Sequence, residues 1–280
     1  MLSPAPVAPA ASPRGRRVQH ADACKHCGST HTEGHGSFTR KDGSRQRRRL
    51  CRSCGRTYND FTGTPLHYIK LRDRWFPMAR AMGRGLSIRR TAAAVGIRVP
   101  TAFRWRHRLL GALRDRPQPL MTGSVAASET YVRYSEKGSR RTAGPGSVRT
   151  TKLPVPVFRR VRDGKPSCVL LATGEMGAVA LAVVGQGRPT PEELAACLAQ
   201  VLGIGAEVRA SGLAPYARAC LCMGIPHIHE VFPWAAHPVE KLRRHLYSWL
   251  ARFHGVATRY LPNYLCWFRF VTKNVSLPTL

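Results

Sequence analysis

The chain reads as an α+β multidomain protein, and three features carry that reading. Two Cys-x-x-Cys pairs lie within the first sixty residues. Apolar residues recur at helical spacing between residues 70 and 113. From Gly123 onward, strand patterns lead into alternating helices and strands. With 280 residues, 43% of them hydrophobic, the chain is long enough for two or three packed domains. Its 45 Lys and Arg against 15 Asp and Glu leave a formal net charge of +30. That excess excludes an ordinary enzyme of small neutral metabolites. It points to a polyanionic partner, because phosphate contacts release counterions and dominate affinity. The scarce acids constrain the chemistry too: Asp163 is the only Asp after residue 115, so a carboxylate-rich metal site in the second half must be built almost wholly from Glu.

Residues 1–21 are Ala/Pro/Ser-rich and then basic, and read as a disordered basic arm. The first seventeen lack an apolar h-region, which argues against a secretory signal. The longest apolar stretch, Cys168 to Val184, is broken by Thr173-Gly174-Glu175-Met176-Gly177, which predicts two strands and a turn rather than a membrane span. The remaining cysteines are irregularly placed, as suits a reducing cytoplasm better than a disulfide framework.

Residues 22–65 hold the cysteine pairs, Cys24-Lys25-His26-Cys27 and Cys51-Arg52-Ser53-Cys54. Each pair fits a tight turn that aims both thiolates at one ion, and Gly28 and Gly55 follow to let backbone amides turn toward sulfur. Four soft ligands suit tetrahedral Zn²⁺ in a closed, structural site. His26, His31 and His35 are alternative ligands, four Cys being the simpler set. The 23 residues between the pairs are enough for a hairpin, with Arg47, Arg48 and Arg49 on its returning strand as DNA-contact candidates. A unit of about forty residues buries little core, so the metal must supply folding energy.

Residues 70–113 read as a helix-turn-helix. Trp75, Met78, Ala79 and Met82 mark a first helix that ends at Gly83 and Gly85. Ser87 caps a second, Ile88 to Val95; Gly96 supplies the turn, and a third runs from Val99 to Leu113. The third is the candidate reading helix, with Thr101, Arg104, Arg106, His107 and Arg108 available for base edges and phosphates of double-stranded DNA. Phe103 and Trp105 read as core. The bland alternative is a helical hairpin with a solvated basic face. Residues 1–120 carry 25 bases against 6 acids, and the rest 20 against 9, so the first half is the stronger candidate for polyanion contact.

Arg116-Pro117-Gln118-Pro119 breaks the helix and predicts a linker over 114–122. In 123–255, strands are expected at Val125–Val132, Leu153–Arg159, Cys168–Ala172 and Ala178–Val184. A capped helix starts at Thr190-Pro191-Glu192-Glu193 and ends near Gly203, followed by a strand at Ala206–Ala210, a helix at Leu213–Met223, a strand at Ile225–Val231 and a helix at Pro238–Phe253. This order matches ribonuclease-H-like α/β domains with a mixed sheet, which place carboxylates on the first strand, at the end of a later strand and on a late helix to hold two Mg²⁺. Residues 256–280 form a C-terminal segment. His227, His229, Glu230 and His237 are either a second metal cluster or a solvated strand edge, and Cys220 and Cys222 read as packing residues.

Several blocks together carry a resemblance. They are the cysteine pairs with Gly55-Arg-Thr-Tyr-Asn-Asp-Phe-Thr-Gly-Thr-Pro65, the helical segment from Leu71, and Ser128-Glu129-Thr130-Tyr131. To these add Lys137-Gly138-Ser139-Arg140, Ser211-Gly212 with Tyr216, and Phe253-His-Gly-Val-Ala-Thr-Arg-Tyr-Leu-Pro-Asn-Tyr-Leu265. From residue 22 to about 270 the chain resembles bacterial insertion-sequence transposases with an N-terminal zinc ribbon. The resemblance implies a DDE-type, ribonuclease-H-like fold, Mg²⁺ dependence, binding to terminal inverted repeats, self-association and a place at the bacterial nucleoid.

The resemblance puts the catalytic triad at Ser128, Ser211 and Glu240, and a basic residue of the family at Tyr247. Two ligand positions that are Asp in such enzymes are therefore hydroxyls here. Glu129 points to the opposite strand face, and Glu207 lies four residues from Ser211. Glu240 is either a remnant of the site or a surface acid, with Arg243 and Arg244 at i+3 and i+4 and a position nearly opposite the apolar stripe. Three readings follow. One is a catalytically degenerate, transposase-derived DNA binder. Another is an active Mg²⁺-dependent transposase with an unusual ligand set or a partner subunit. The last is a non-enzymatic zinc-dependent nucleic-acid-binding regulator.

Overall fold

The structure is a computed structural model that describes residues 23–40, 43–115, 120–137, 165–211, 213–231 and 237–274. The basic arm at 1–21, the strand expected at Leu153–Arg159, and Gly138, Ser139, Arg140 and Gly212 of the resembling blocks lie outside the described residues. The chain divides into two compact units, Met1–Arg72 and Asp73–Leu280.

The first unit is a three-stranded antiparallel sheet of β1 (Thr32–Thr39), β2 (Arg45–Cys51) and β3 (Thr57–Tyr58), in that order. Arg47, Arg48 and Arg49 lie on the returning strand, as the spacing of the cysteine pairs predicts. A register shift between Gly34 and Ser37 leaves Arg49 opposite Gly34 and Arg47 opposite Ser37. The buried cluster here consists of Cys24, Cys51 and Tyr58, flanked by Cys27 and Cys54. That is too little apolar surface to offset the entropy of ordering the chain. The sulfurs are most of the core.

The second unit begins with three helices, α1 (Trp75–Gly83), α2 (Ile88–Val95) and α3 (Val99–Arg114). Ser87 caps α2 by accepting from the Arg90 amide at 3.5 Å. Gly96, at φ +69°, ends it, and the amide of Ile97 reaches back to Ala92 O at 3.0 Å. Gly85 is needed twice over: φ is +65°, and a Cβ there would sit 2.7 Å from the Trp249 ring.

A five-stranded mixed sheet follows, with order β6-β5-β4-β7-β8. Its strands are β4 (Met121–Val132), β5 (Ser167–Gly174), β6 (Val179–Gln186), β7 (Leu202–Ala210) and β8 (His227–His229). The β4–β5 and β5–β6 pairs are antiparallel, whereas β4–β7 and β7–β8 are parallel. Alternation along β4 splits the core in two. Val125 and Ala127 join the cluster under α4 (Pro191–Leu198) and α5 (Leu213–Met223), with Leu194, Leu198 and Tyr216. Ala126 joins the cluster under α6 (Pro238–Ala251) and α7 (Leu261–Asn274), with Leu242, Leu246, Trp249 and Trp267. Met78, Val95 and Leu110 belong to this second cluster, so the three N-terminal helices share a core with the sheet.

Several boundaries differ from expectation. Thr190 forms a full capping box with Glu193, but α4 ends at Leu198 and β7 begins at Leu202, where a tight turn replaces the last helical turn. The strand expected at Ile225–Val231 shrinks to three residues. The C-terminal segment contains a 14-residue helix, α7, whose Leu261, Tyr264, Leu265, Trp267 and Phe268 are buried. Cys220 is buried as a packing residue, but Cys222 is exposed. Among the described residues, no helix is long and apolar enough to cross a membrane.

Candidate metal centre and nucleic-acid interface

The sulfurs of Cys24, Cys27, Cys51 and Cys54 all lie within 4.8 Å of one another. Cys24 and Cys54 are 3.7 Å apart, and Cys27 and Cys51 are 3.6 Å apart. Tetrahedral Zn²⁺ with bonds of about 2.3 Å sets neighbouring sulfurs about 3.8 Å apart, so the set fits one ion without rearrangement. Each knuckle closes on a left-handed glycine: Gly28 N donates to Cys24 O at 2.8 Å, and Gly55 N to Cys51 O at 2.9 Å. Burial acts to raise the Cys51 thiol. The Cys54 amide and the neighbouring thiols outweigh it and bring Cys51 down to about 6. Such a cluster can hold a structural metal. Of the three alternative ligands, His26 turns its Nε2 toward Thr57 O at 3.4 Å.

The basic residues of β2 divide between its faces. Arg47 is exposed, and Arg45 donates to Ser37 Oγ at 2.8 Å. On the other face, Arg48 stacks over Phe38 at 4.8 Å, and Gln46 is buried between Asp60 and Arg72, at 3.2 Å from each.

Of the five candidates on α3, Arg104 and Arg108 are exposed and Thr101 partly so, and the three share one face at i, i+3 and i+7. Neither arginine has an ion-pair partner among the described residues. Arg106 must be removed from the interface: it is fully buried, donating to Leu86 O at 2.6 Å and Thr91 Oγ1 at 2.8 Å, with Trp267 beneath its guanidinium at 4.7 Å. The buried stripe of α3 runs Ala102, Arg106, Leu110, a four-residue spacing that could have revealed this. His107 also turns inward and stacks on Tyr260 at 4.0 Å. Burial, then the charges of Arg106 and Arg259, push it down to about 4, so it is neutral near pH 7. Trp105 packs edge-on against Trp75 at 5.6 Å.

Of the three positions that the resemblance assigns to a triad, Ser128 and Glu240 meet between β4 and α6, and Ser211 directly follows β7. Ser128 is buried on β4, facing α6. Ala127 pairs with Ala210 in the parallel β4–β7 ladder, so Ser128 is the next residue of β4 and Ser211, which is exposed, the first residue after β7. Glu240 is 7% exposed in the first turn of α6, which decides against a surface acid. Arg243 joins Ser128 and Glu240. Its Nη1 donates to Glu240 Oε2 at 2.6 Å, and its Nη2 donates to Ser128 Oγ and, at 3.1 Å, to Glu129 O. One turn on, Tyr247 is fixed to the same strand by its hydroxyl, 2.6 Å from Thr130 Oγ1 and 3.2 Å from Tyr131 O.

Neighbouring acids do not complete the site. Glu207 lies opposite Ser124 and is held by Arg209 at 3.0 Å, with Glu230 on that arginine's other side at 3.6 Å. The Glu129 carboxylate faces the α5 side of the sheet, where burial and then its charge push the Tyr216 phenol well above its usual range. Among the described residues, only the four cysteines form a metal-ligating cluster; His227, His229, Glu230 and His237 do not. His229 Nε2 lies 3.2 Å from Ser211 O. Mg²⁺ takes hard, anionic oxygen ligands. Two hydroxyl positions and one carboxylate already bound to a guanidinium do not fit it.

No known protein-family model matches the chain. It is similar to an uncharacterized protein in the transposable element ISH50 of Halobacterium salinarum, 36% identical over 121 residues. The match covers 39% of this chain and 40% of that protein, so the chain spans less than half the length of this relative.

Proposed function

We propose that this chain is a transposase-derived protein that binds double-stranded DNA, terminal inverted repeats being the target class, and lacks metal-dependent cleavage activity. A zinc ribbon and a helix-turn-helix supply the contacts, and a ribonuclease-H-like domain carries them without chemistry. The observation that carries this reading is the meeting of Ser128 and Glu240 on Arg243 in a sheet ordered β6-β5-β4-β7-β8, with Ser211 directly after the end of the neighbouring parallel strand. The resembling enzymes carry Asp at the first two of these positions and Asn or an acid at the third, whereas here the first two are hydroxyls. The net charge of +30 and the exposed Arg104 and Arg108 support the DNA partner. Similarity to a protein of a transposable element supports the ancestry.

Fluorescence anisotropy across a salt series tests the binding. Duplex DNA binds with an affinity that falls steeply with salt, and Arg104→Ala and Arg108→Ala each reduce the salt slope by about one. Equal or tighter binding to an RNA duplex of the same sequence contradicts the reading in favour of an RNA partner.

A further inference from the structure

Arg243 is an unusual occupant for the place it fills. Its side chain is 18% exposed and that of Glu240 is 10% exposed, so both charges are largely withdrawn from water. The guanidinium reaches from α6 back to β4, where it meets a hydroxyl and a main-chain carbonyl one residue apart. Carboxylate, hydroxyl and carbonyl oxygens are the donor set that a hard cation gathers, and here they gather round a cation attached to the chain.

We infer that Arg243 is a resident cation that takes the electrostatic place of a divalent ion at this site and keeps such an ion out. The inference rests on reading Ser128, Ser211 and Glu240 as former ligand positions. It goes further by making Arg243 a second barrier, independent of the two missing aspartates. With Asp restored at 128 and 211, the guanidinium still bridges residue 128 and Glu240, and its positive charge still opposes Mg²⁺ or Mn²⁺. The loss of metal chemistry is therefore not reversed by those two substitutions alone.

The test uses the zinc-loaded full chain and Mn²⁺ as the probe, with free Mn²⁺ counted by electron paramagnetic resonance and the thermal midpoint followed in parallel. Wild type and Ser128→Asp/Ser211→Asp leave Mn²⁺ free at concentrations where Ser128→Asp/Ser211→Asp/Arg243→Ala binds it. The gain from removing Arg243 is roughly tenfold or more in affinity, as expected for deleting a unit charge at contact distance. At Mn²⁺ about 100-fold above its Kd, the triple variant's midpoint rises by roughly 5–10 °C. Arg243→Gln, which keeps hydrogen-bonding capacity without charge, replaces Arg243→Ala if the latter does not fold, and gives the same ordering. Equal Mn²⁺ affinity in the double and triple variants overturns the role of Arg243 while leaving the ligand positions intact. Absence of binding in both overturns the ligand positions as well, and with them the inference.

Discussion

In residues 24–54 four sulfurs converge around a space one tetrahedral ion would fill. Between β4 and α6, the hydroxyl of Ser128 and the carboxylate of Glu240 converge where Arg243 supplies the positive charge. Both places gather polar or soft ligand atoms that suit a cation. The cysteine cluster supplies most of the core of its unit. The β4–α6 site lies in a unit with two large apolar clusters, so its polar groups could change without loss of the fold. Where ligand atoms make up most of the core, binding and stability are one property; beside large apolar cores they are separable.

The largest effect breaks the first half of that contrast. Cys51→Ser, or zinc removal by a chelator, is expected to unfold residues 23–72, because structural zinc supplies on the order of 10 kcal/mol. Zinc stoichiometry falls from one per chain, and the β1–β2 strand signals disappear from NMR spectra while those of the second unit persist. Retention of β1–β2 without metal contradicts it.

The next effect sharpens the second half. Glu240→Ala or Arg243→Ala leaves a buried charge unpaired and costs about 3–5 kcal/mol, read from denaturant midpoints. Glu240→Gln with Arg243→Met removes both charges at similar volume and costs far less than the sum of the single changes. Additive losses would mean that the two side chains do not act as a pair.

A smaller effect concerns how the exposed face of α3 is held. The folded protein keeps His107 near 4, below its ordinary 6.5, so protonation favours the unfolded chain. His107 therefore stabilises fully above about pH 6.5, and this contribution is lost as pH falls through about 4. His107→Gln flattens that part of the pH–stability curve. An unchanged curve contradicts a contribution of His107 to stability. Smallest is Thr190→Ala, which breaks the capping box of α4 and lowers stability by about 1 kcal/mol without altering DNA affinity.

Local chemistry made much of the architecture legible. Ser87 and Gly96 bound α2, Thr190 starts α4, and the two glycine-closed cysteine pairs define the cluster. These are signals within a few residues, where backbone and cap geometry decide. What stayed hidden depends on tertiary contact. Periodicity put Glu240 opposite the apolar stripe of α6 and left a surface acid open, but the polar side of that helix also faces the protein, at Ser128. The Glu240–Arg243 pair was readable from i,i+3 spacing; its burial was not. Arg106 reads as a solvated base in a basic helix, yet packing on Trp267 and bonds to Leu86 and Thr91 keep it inside. The helix α7 is aromatic-rich and a weak helix former, so packing against α3 and α6 decides its state.

The most direct test incubates purified, zinc-loaded chain with supercoiled and inverted-repeat duplex DNA in Mg²⁺ or Mn²⁺, measuring binding and strand breakage in one sample. Salt-sensitive binding is expected, with no nicking, cleavage or strand transfer at any concentration of either ion. Divalent-dependent cleavage by the wild-type chain, lost in Glu240→Ala while DNA binding persists, would contradict it.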